Sequence, residues 1–392
     1  MKIAIAVHGR FHGFDLARAL IARDHDVRVF TNYPVWATRR FGVPGEKVRS
    51  FWPHGVAVKI VDRLGLTVGD ALSAPMHKAF SKWVMRQINR ESWDVVHAFS
   101  GVAEDVFLGT PKIPRHFLVR GSSHIRYQQR ILHEESERTG VRLESPSDWI
   151  IEREEREYRM CDRLFVLSKF ALRSFIEAGV PEAKMALLPL GVDARAFRPR
   201  RDVLVERARR IRSGAPLRVI CAGTLCFRKG LYDLEKIVRG SDPARFHFQV
   251  IGSVAPEAKK FVAQLPARIE IVPRQPHAQL PSWYANADLF LLPTLEDGFA
   301  VVLTQACASG LPILATTNCA APDFVRDGQN GWVLPIRDPE AFIGRLRWCD
   351  ENREELAEMV YKTYDDFRPI DWDDVAANFE SILHETAVTS RQ

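Results

Sequence analysis

The sequence predicts an α/β protein built from two doubly wound parallel sheets that face each other across a cleft. The chain has 392 residues, which is long for one hydrophobic core and natural for two domains of ordinary size. Short apolar segments alternate with helical segments in both halves, and such alternation predicts parallel sheets with crossover helices rather than a sandwich or barrel. A stretch rich in Arg, Ala and Pro separates the halves.

The predicted strands are short apolar runs bounded by turn residues. Those of the first half are Ile3–Val7, Val27–Phe30, Val56–Val61, Val95–Ala98, Phe117–Val119 and Leu164–Leu167. Those of the second half are Arg218–Ala222, Phe246–Ile251, Ile269–Val272, Leu289–Leu292, Ile313–Ala315 and Trp332–Leu334. Helical spacing of apolar residues predicts helices that include 14–22 and 372–385. The stretch 203–211, in the part of the chain that is poor in apolar pattern, is expected to be a charged helix.

These elements divide the chain into four parts. We predict a first domain at 1–195, a linker at 196–216, a second domain at 217–368 and a C-terminal helix within 369–392. The last helix has one apolar face, which must be buried, and we expect it to cross back to the first domain. Ligands of open parallel sheets bind at the carboxyl ends of the strands, so the site is expected in the cleft.

Charge and cysteine content narrow the function classes. The net charge of +6 and the pI of about 9.0 permit attraction to phosphates, anionic lipids or nucleic acid. The sequence has no recognition-helix, zinc-finger or RNA-binding aromatic motif, so nucleic acid is not an expected partner. The six cysteines have no CxxC or metal spacing and suit free thiols. With no apolar run long enough for a signal peptide or a membrane span, we expect a cytoplasmic protein.

The segment 293–310 is the most informative part of the sequence. The predicted strand Leu289–Leu292 is followed by the acidic pair Glu296 and Asp297, a Gly298-Phe299 turn, and an apolar helical segment that carries Gln305. A helix that starts at such a turn directs N–H groups and a positive dipole end at the cleft, which suits a diphosphate, while carboxylates suit hydroxyls. A nucleotide sugar offers both groups. An ordinary strand-to-helix turn is the alternative.

Four ordered motifs in the second half give the chain a family resemblance. They are Gly191-Val192-Asp193 with Phe197, the run Gly223 to Gly230, the pair Asp297 and Gln305 separated by seven residues, and the turn Asp327 to Gly331. With these motifs the chain resembles the retaining family-4 glycosyltransferases, which have two Rossmann-like domains in the GT-B architecture. The resemblance extends to Val166-Leu167-Ser168 and the opening 2–30, and so spans nearly the whole chain.

The resemblance implies a donor site for a nucleotide-diphosphate sugar of the UDP or GDP type. Its expected diphosphate-binding residues are Gly223, Thr224, Arg228, Lys229, Phe299 and Ala300. The family usually has Arg where this chain has Thr224, and we expect Arg228 to supply the missing guanidinium. A solvated Arg-Lys pair in a loop is the alternative.

The acidic motif departs from the family pattern at its second position. By register, Asp297 takes the first acidic position, near the transferred sugar and in a catalytic role. Gln305 takes the second, where a Glu usually accepts hydrogen bonds from the ribose hydroxyls. The amide loses a charge-assisted bond, at a cost of about 1–2 kcal/mol. Glu296 and Gly298 are the neighbouring candidates for ribose or sugar contact.

The first domain is expected to select the acceptor, a glycan, glycolipid or small molecule. The resemblance implies that the loop after the first strand faces the cleft, with Gly9, Arg10, His12 and Gly13 as candidates; a solvated loop is the alternative. It also implies a histidine near the sugar after the strand Phe117–Val119, a role for which His124 and Arg120 compete.

The implied reaction needs no cofactor and no metal. Retaining transfer in the family is described as same-face attack, in which the departing phosphate oxygen takes the acceptor proton, so no protein nucleophile is required. No phosphate-bridging Asp-x-Asp motif stands out, since Asp24-His25-Asp26 falls in a predicted turn. The alternatives are a nucleotide-sugar epimerase or sugar phosphorylase of the same architecture and a non-catalytic nucleotide-sugar-binding scaffold.

Two charged segments have simpler interpretations as well. Within 76–90, Lys78, Lys82, Arg86 and Arg90 form a basic ridge beside an apolar stripe. Such a helix can lie at the inner face of an anionic membrane, but it can equally pack on the sheet with a solvated basic face, which is the commoner case. The mixed charges of 152–157 predict a solvated helix face.

Overall fold

The computed structural model of the protein describes residues 1–63 and 70–389. The strands of its first sheet are Lys2–Val7 (β1), Asp26–Thr31 (β2), Val48–Ser50 (β3), Val95–Phe99 (β4), His116–Val119 (β5), Arg163–Val166 (β6) and Met185–Leu187 (β7). Those of the second are Leu217–Ala222 (β8), Phe246–Ile251 (β9), Ile269–Val272 (β10), Leu289–Leu292 (β11), Ile313–Thr316 (β12) and Gly331–Leu334 (β13).

Helices cover both faces of the sheets. Up to residue 212 they are Gly13–Ala22 (α1), Val35–Thr38 (α2), Trp52–Arg63 (α3), Asp70–Ile88 (α4), Ala103–Gly109 (α5), Ile125–Thr139 (α6), Asp148–Met160 (α7), Lys169–Glu177 (α8), Ala194–Phe197 (α9) and Arg201–Arg212 (α10). The later ones are Leu231–Gly240 (α11), Lys259–Val262 (α12), Leu280–Asn286 (α13), Val301–Ala308 (α14), Ala321–Phe324 (α15), Pro339–Glu351 (α16), Arg353–Asp366 (α17) and Trp372–Thr389 (α18). Short 3₁₀ helices occur at Arg39–Phe41, Gly45–Lys47, Glu182–Lys184, Phe227–Lys229, Pro256–Ala258 and His277–Gln279.

The two sheets have the same winding, which confirms the predicted fold class. The first sheet has the order β3-β2-β1-β4-β5-β6-β7 and the second β10-β9-β8-β11-β12-β13, with parallel pairing. In each, the chain first winds outward on one side of the central strand and then on the other. The points of reversal lie between β1 and β4 and between β8 and β11, where ligand crevices form in such sheets.

One predicted strand is wrong. Val56–Val61 lies inside helix α3, where Trp52, Val56 and Ile60 share an exposed row while His54 faces the core. The alternation of Val56, Val58 and Ile60 is the pattern of a half-buried strand. The same short run also fits a helix whose buried face is formed by other residues, such as His54. The edges of the first sheet are instead formed by the short strands β3 and β7, which were not predicted from the sequence.

Helix α10 lies in the segment predicted as a linker, 196–216, and it packs on the second domain. Leu204, Ala208 and Ile211 belong to a core cluster formed with the second sheet. Arg207 is fully buried and donates to the carbonyls of Ser309 at 2.7 Å and of Tyr284 at 2.9 Å. These contacts join the helix to the domain that follows it.

The C-terminal helix α18 packs on the first domain, as predicted. Phe379 is fully buried and stacks on Phe165 with ring centroids 5.5 Å apart. At the edge of this contact, Glu380 pairs with Arg23 at 2.8 Å and with His25 at 2.7 Å. The chain therefore returns to its first sheet after completing the second.

The segment 152–157 is not a simple solvated face, contrary to expectation. Arg153 and Glu157 are fully buried. The guanidinium of Arg153 donates to Glu104 at 3.0 Å, to Asp105 at 2.9 Å and to the carbonyl of Gly101 at 3.1 Å. The charged pattern encodes a buried ion-pair network between α5 and α7, because buried charges persist where they are paired.

Candidate functional site

The candidate site lies where the second sheet reverses, at the carboxyl ends of β8 and β11. The loop 223–230 after β8 contacts the loop 293–300 after β11, since the amide of Leu295 donates to the carbonyl of Arg228 at 3.0 Å. Gly230 has φ +77°, and a Cβ there would stand 1.8 Å from the carbonyl oxygen of Pro293. Only glycine permits this approach, which brings the two predicted donor-binding loops together.

Arg228 and Lys229 are the cations of this crevice. Both lie in the short 3₁₀ helix Phe227–Lys229 and are partly buried. Beside Arg228 is a cavity of about 350 Å³ whose walls come from both domains, including Gln128, Leu143 and Glu257. At the start of the loop, Thr224 is exposed and its hydroxyl lies 3.2 Å from that of Ser253, while Gly223 adopts φ +136°.

Asp297 connects the cationic loop with the start of helix α14. Its carboxylate pairs with Lys229 and accepts hydrogen bonds from the amides of Phe299 at 3.2 Å and Ala300 at 2.9 Å. Those amides were the expected phosphate ligands. In the structure Asp297 itself occupies the favourable end of the helix, so a diphosphate can use the two amides only after this carboxylate turns away.

Glu296 points in a different direction from Asp297. It is fully buried and contacts the first domain, where Ser122, Ser123 and Gln128 donate to it, and Arg228 pairs with it at 2.9 Å. Burial opposes its ionisation, but the charge of Arg228 and the hydrogen bonds from Ser122 and Ser123 outweigh that cost and lower the pKa of Glu296 to about 2. A role at the donor ribose stays a prediction and would require these bonds to break.

Gln305 lies inside the second domain on α14. Its side chain is nearly buried, and its amide oxygen accepts a 3.2 Å hydrogen bond from the hydroxyl of Tyr284. Gly298, the other predicted sugar contact, is buried against the first domain, because a Cβ there would stand 2.3 Å from the carbonyl oxygen of Gly121. The two predicted contacts thus have different surroundings: Gln305 bonds within the second domain, and Gly298 lies against the first.

In the first domain, Arg120 and His124 have different surroundings. Arg120 follows β5 and donates to Glu154 at 2.9 Å and to Gln128 at 2.8 Å. His124 begins helix α6, and its ring packs against Tyr158 and Phe175. Burial lowers the pKa of His124 to about 4, so its imidazole is neutral at pH 7. Neither catalytic role is tested by these contacts.

The loop after β1 lies at the reversal point of the first sheet. The amide of Gly9 donates to Asn32 at 2.6 Å, and the Arg10 guanidinium lies 3.9 Å from the centre of the Phe41 ring. His12 packs on Phe99, and a Cβ on Gly13 would stand 3.0 Å from the Phe99 ring. Burial lowers the pKa of His12 to about 4. Gly9 and His12 are half-buried and Gly13 is buried, whereas Arg10 is exposed.

A histidine cluster beside this loop was not predicted. His8 directly follows β1, and His54 and His77 lie on α3 and α4. The ring centroids are 5.5 Å apart for His8 and His54 and 5.7 Å apart for His8 and His77. Burial, followed by the two neighbouring imidazoles, lowers the pKa of His8 to about 3. Since the three residues are far apart in sequence, only the position of His8 at the end of β1 could have indicated the cluster.

Comparison with known proteins gives the family of the chain. Residues 11–196 match the model for "Glycosyltransferase Family 4", and residues 216–352 match that for "Glycosyl transferases group 1". The chain thus carries a glycosyltransferase family 4 domain followed by a glycosyl transferases group 1 domain. The two matches fall on the two doubly wound domains.

Related glycosyltransferases align with part of the chain. WcaL of Salmonella typhimurium, a glycosyltransferase assigned to colanic acid biosynthesis, is 27% identical over 202 residues, covering 48% of each chain. The amylovoran biosynthesis glycosyltransferase AmsK of Erwinia amylovora is 24% identical over 219 residues, covering 52% of this chain and 51% of AmsK. The chain thus spans about half the length of the relatives it matches.

Solved structures resemble the chain over nearly its full length. Anabaena Alr3699/HepE, solved in complex with UDP, has a TM-score of 0.72 at 14% identity and covers 98% of this chain and 100% of its own. WaaG, a glycosyltransferase involved in lipopolysaccharide biosynthesis, has a TM-score of 0.65 at 16% identity and covers 98% and 99%. These similarities show the GT-B fold.

Within residues 1–63 and 70–389, His, Cys, Asp and Glu side chains form no group of three or more with metal-binding geometry. The same residues contain no helix with the length and apolar character needed to cross a bilayer.

Proposed function

We propose that this protein transfers a hexosyl group from a nucleoside-diphosphate sugar to a hydroxyl acceptor with retention and without a metal ion. The observation that carries the proposal is the contact between the loop of Arg228 and Lys229 and the loop of Asp297 where the second sheet reverses. Two cations suit the donor diphosphate, and one carboxylate suits the sugar hydroxyls. UDP is the favoured nucleotide because HepE was solved with UDP and with UDP-glucose, with GDP as the rival.

The proposed reaction divides the work between the two loops. Arg228 and Lys229 stabilise the negative charge that grows on the diphosphate as the bond from its oxygen to the sugar C1 breaks. The acceptor hydroxyl forms the new C1–O bond on the same face, and its proton goes to the departing phosphate oxygen. Asp297 orients the sugar after exchanging its bond to Lys229 for bonds to sugar hydroxyls. The acceptor is a glycan or glycolipid, in keeping with the relatives' polysaccharide pathways.

Nucleotide binding and release test this function. A thermal-shift panel of UDP, GDP, ADP and dTDP should show stabilisation by one nucleotide, of about 2.7 kcal/mol at 100 times its Kd. Arg228→Ala should weaken that binding about 10- to 150-fold, since charge-assisted hydrogen bonds contribute about 1.5–3 kcal/mol. Arg239→Ala is the matched control, because Arg239 is exposed and pairs with Glu235. Unchanged affinity in Arg228→Ala, or loss of turnover in EDTA, would contradict the proposal.

A non-catalytic nucleotide-sugar-binding protein is the second candidate, and the neutral side chain of Gln305 favours it. Such a protein would bind the nucleotide sugar without consuming it. Measuring nucleotide release with and without acceptor separates the two functions, because a transferase releases the nucleotide faster when an acceptor is present. Binding without release under both conditions would support the scaffold.

Peripheral contact with an anionic membrane is also part of the proposal, with a revised surface. On α4, Lys78, Lys82 and Arg86 are exposed, but the apolar stripe is not available, since Phe80 is fully buried. The exposed apolar row is on α3, where Trp52, Val56 and Ile60 are the members. The α4 ridge would attract anionic lipid, and the α3 row would enter the interface.

Vesicle flotation tests this surface. Trp52→Ser with Ile60→Ser should reduce binding to vesicles containing phosphatidylglycerol. Leu108→Ser is the control, because Leu108 is equally exposed but lies on α5. Equal flotation of both variants and the wild type, or no preference for anionic lipid, would rule out this contact.

A further inference from the structure

We propose that Glu296 is a positioning residue that couples closure of the two domains to binding of the donor diphosphate at Arg228. The inference rests on the proposed function for the identity of the ligand of Arg228. Its structural part, the connection between the domains through one buried carboxylate, stands on the contacts of Glu296 alone.

The carboxylate of Glu296 is surrounded by hydrogen-bond donors from the first domain. Its Oε1 accepts from the hydroxyl of Ser122 at 2.5 Å and from the amide and hydroxyl of Ser123 at 3.0 and 2.8 Å. Its Oε2 accepts from Gln128 at 3.2 Å and from the Nη1 of Arg228 at 2.9 Å. Four of these five bonds cross the cleft, although Glu296 belongs to the second domain.

The backbone around Glu296 makes this contact specific to the closed arrangement. A Cβ on Gly298 would stand 2.3 Å from the carbonyl oxygen of Gly121 and 2.6 Å from the Cα of Ser122. On the other side, the hydroxyl of Ser168 donates to the carbonyl of Gly298 at 2.6 Å. Such close approach ends as soon as the domains separate, and Glu296 then loses its first-domain donors together.

Separation of the domains changes how the carboxylate of Glu296 can pair with Arg228. With Ser122, Ser123 and Gln128 gone, both carboxylate oxygens of Glu296 can face Arg228, and a bidentate pair becomes the best remaining arrangement. In the closed structure, the hydrogen bonds that Arg228 donates to other described residues all come from Nη1, to Glu296 Oε2 and to the Glu296 carbonyl at 3.4 Å. The remaining N–H groups can then bind phosphate.

Closure and donor binding should therefore favour each other. Closure relieves the competition between Glu296 and the diphosphate for Arg228, and by linkage a bound diphosphate stabilises the closed state by the same factor. Couplings of this kind typically change affinity about 5- to 150-fold. A purely structural role for Glu296 would lower stability without making closure depend on Arg228.

The test removes the two first-domain hydroxyls that donate to Glu296 and leaves Arg228, Lys229 and Asp297 unchanged. In Ser122→Ala with Ser123→Ala, we expect about tenfold weaker UDP binding by calorimetry and a larger radius of gyration by small-angle scattering than in the wild type. In an Arg228→Ala background, the same two substitutions should cause no further loss of UDP affinity. Ser282→Ala is the control, since this exposed hydroxyl bonds only within its own turn, to Gln279.

Three results would overturn the coupling: unchanged UDP affinity in the double serine variant, an unchanged radius of gyration, or a full additional loss of affinity in the Arg228→Ala background. If the wild type binds none of UDP, GDP, ADP and dTDP, the proposed function fails instead. The scattering comparison of the ligand-free proteins still decides whether Glu296 holds the domains together, because it needs no nucleotide.

Discussion

The hydroxyl of Tyr284 donates a 3.2 Å hydrogen bond to the amide oxygen of Gln305, and both side chains are buried in the second domain. This bond fixes the amide of Gln305 at the position where the family usually has a glutamate. It leaves the NH₂ group, a donor, for a ligand.

Gln305 should therefore contribute to recognition of the donor ribose. In Gln305→Leu, we expect the wild-type preference for UDP over 2′-deoxy-UDP to disappear, because a neutral hydrogen bond contributes about 0.5–1.5 kcal/mol, or about 2- to 10-fold in affinity. Titration calorimetry with both nucleotides measures the preference. Thr304→Val, on the same helix, should retain it; a preference that survives in Gln305→Leu would exclude ribose contact.

Asp297 should matter more for turnover than for nucleotide binding. Asp297→Asn keeps the shape of the side chain but removes its charge, and we expect kcat to fall about 100- to 1,000-fold, as for loss of one preorganised electrostatic group. The Kd for UDP should change little, since the variant also removes a competitor for Lys229. Nucleotide-release assays measure kcat, and titration calorimetry measures the Kd for UDP. Asp242→Asn, an exposed site, serves as control, and normal turnover in Asp297→Asn would refute the role.

The contact made by Glu296 should weaken in acid. Its folded-state pKa of about 2 lies below the ordinary value of 4.5, so its stabilising contribution is complete above pH 4.5 and is lost as the pH falls through about 2. The difference in unfolding free energy between the wild type and Glu296→Gln should thus shrink between pH 5 and pH 2. Urea titrations at several pH values measure it. A difference that stays constant would show that this carboxylate is not the titrating group.

Phe379 should stabilise the first domain although it lies near the other end of the chain. Truncation of a fully buried phenylalanine costs about 3–5 kcal/mol, so Phe379→Ala should lower the urea midpoint of the first domain by a corresponding amount. Ser381→Ala, exposed on the same helix, should change stability by less than about 0.5 kcal/mol. Equal effects of the two substitutions would mean that α18 does not support this domain.

The strand pattern of the sequence predicted most of the fold. Fully buried strands such as Leu289–Leu292 are recognisable because both faces of a covered parallel sheet need apolar side chains. The failures have the same origin: Val56–Val61 has the composition of a strand but only part of its surface is buried. The short edge strands β3 and β7 lack a distinctive pattern because few of their residues face the core.

The candidate site was predicted in part, as a set of residues but not as a set of contacts. The family resemblance assigned Arg228, Lys229 and Asp297 to one donor site, and the structure joins Lys229 to Asp297. The burial of Glu296 could not be read from the motif, since its first-domain partners lie far earlier in the chain, as the separation of 173 between Ser123 and Glu296 shows. Contacts across a cleft depend on how domains dock, which local sequence does not encode.

The return of α18 to the first sheet has a consequence for synthesis of the chain. A ribosome releases residues 1–195 first, but the core around Phe165 remains unfilled until Phe379 emerges. The apolar surface of the first domain that Phe379 covers then stays exposed while the second domain is translated and folds. Nascent chains halted before residue 372 should accordingly be bound by chaperones at the first sheet rather than the second.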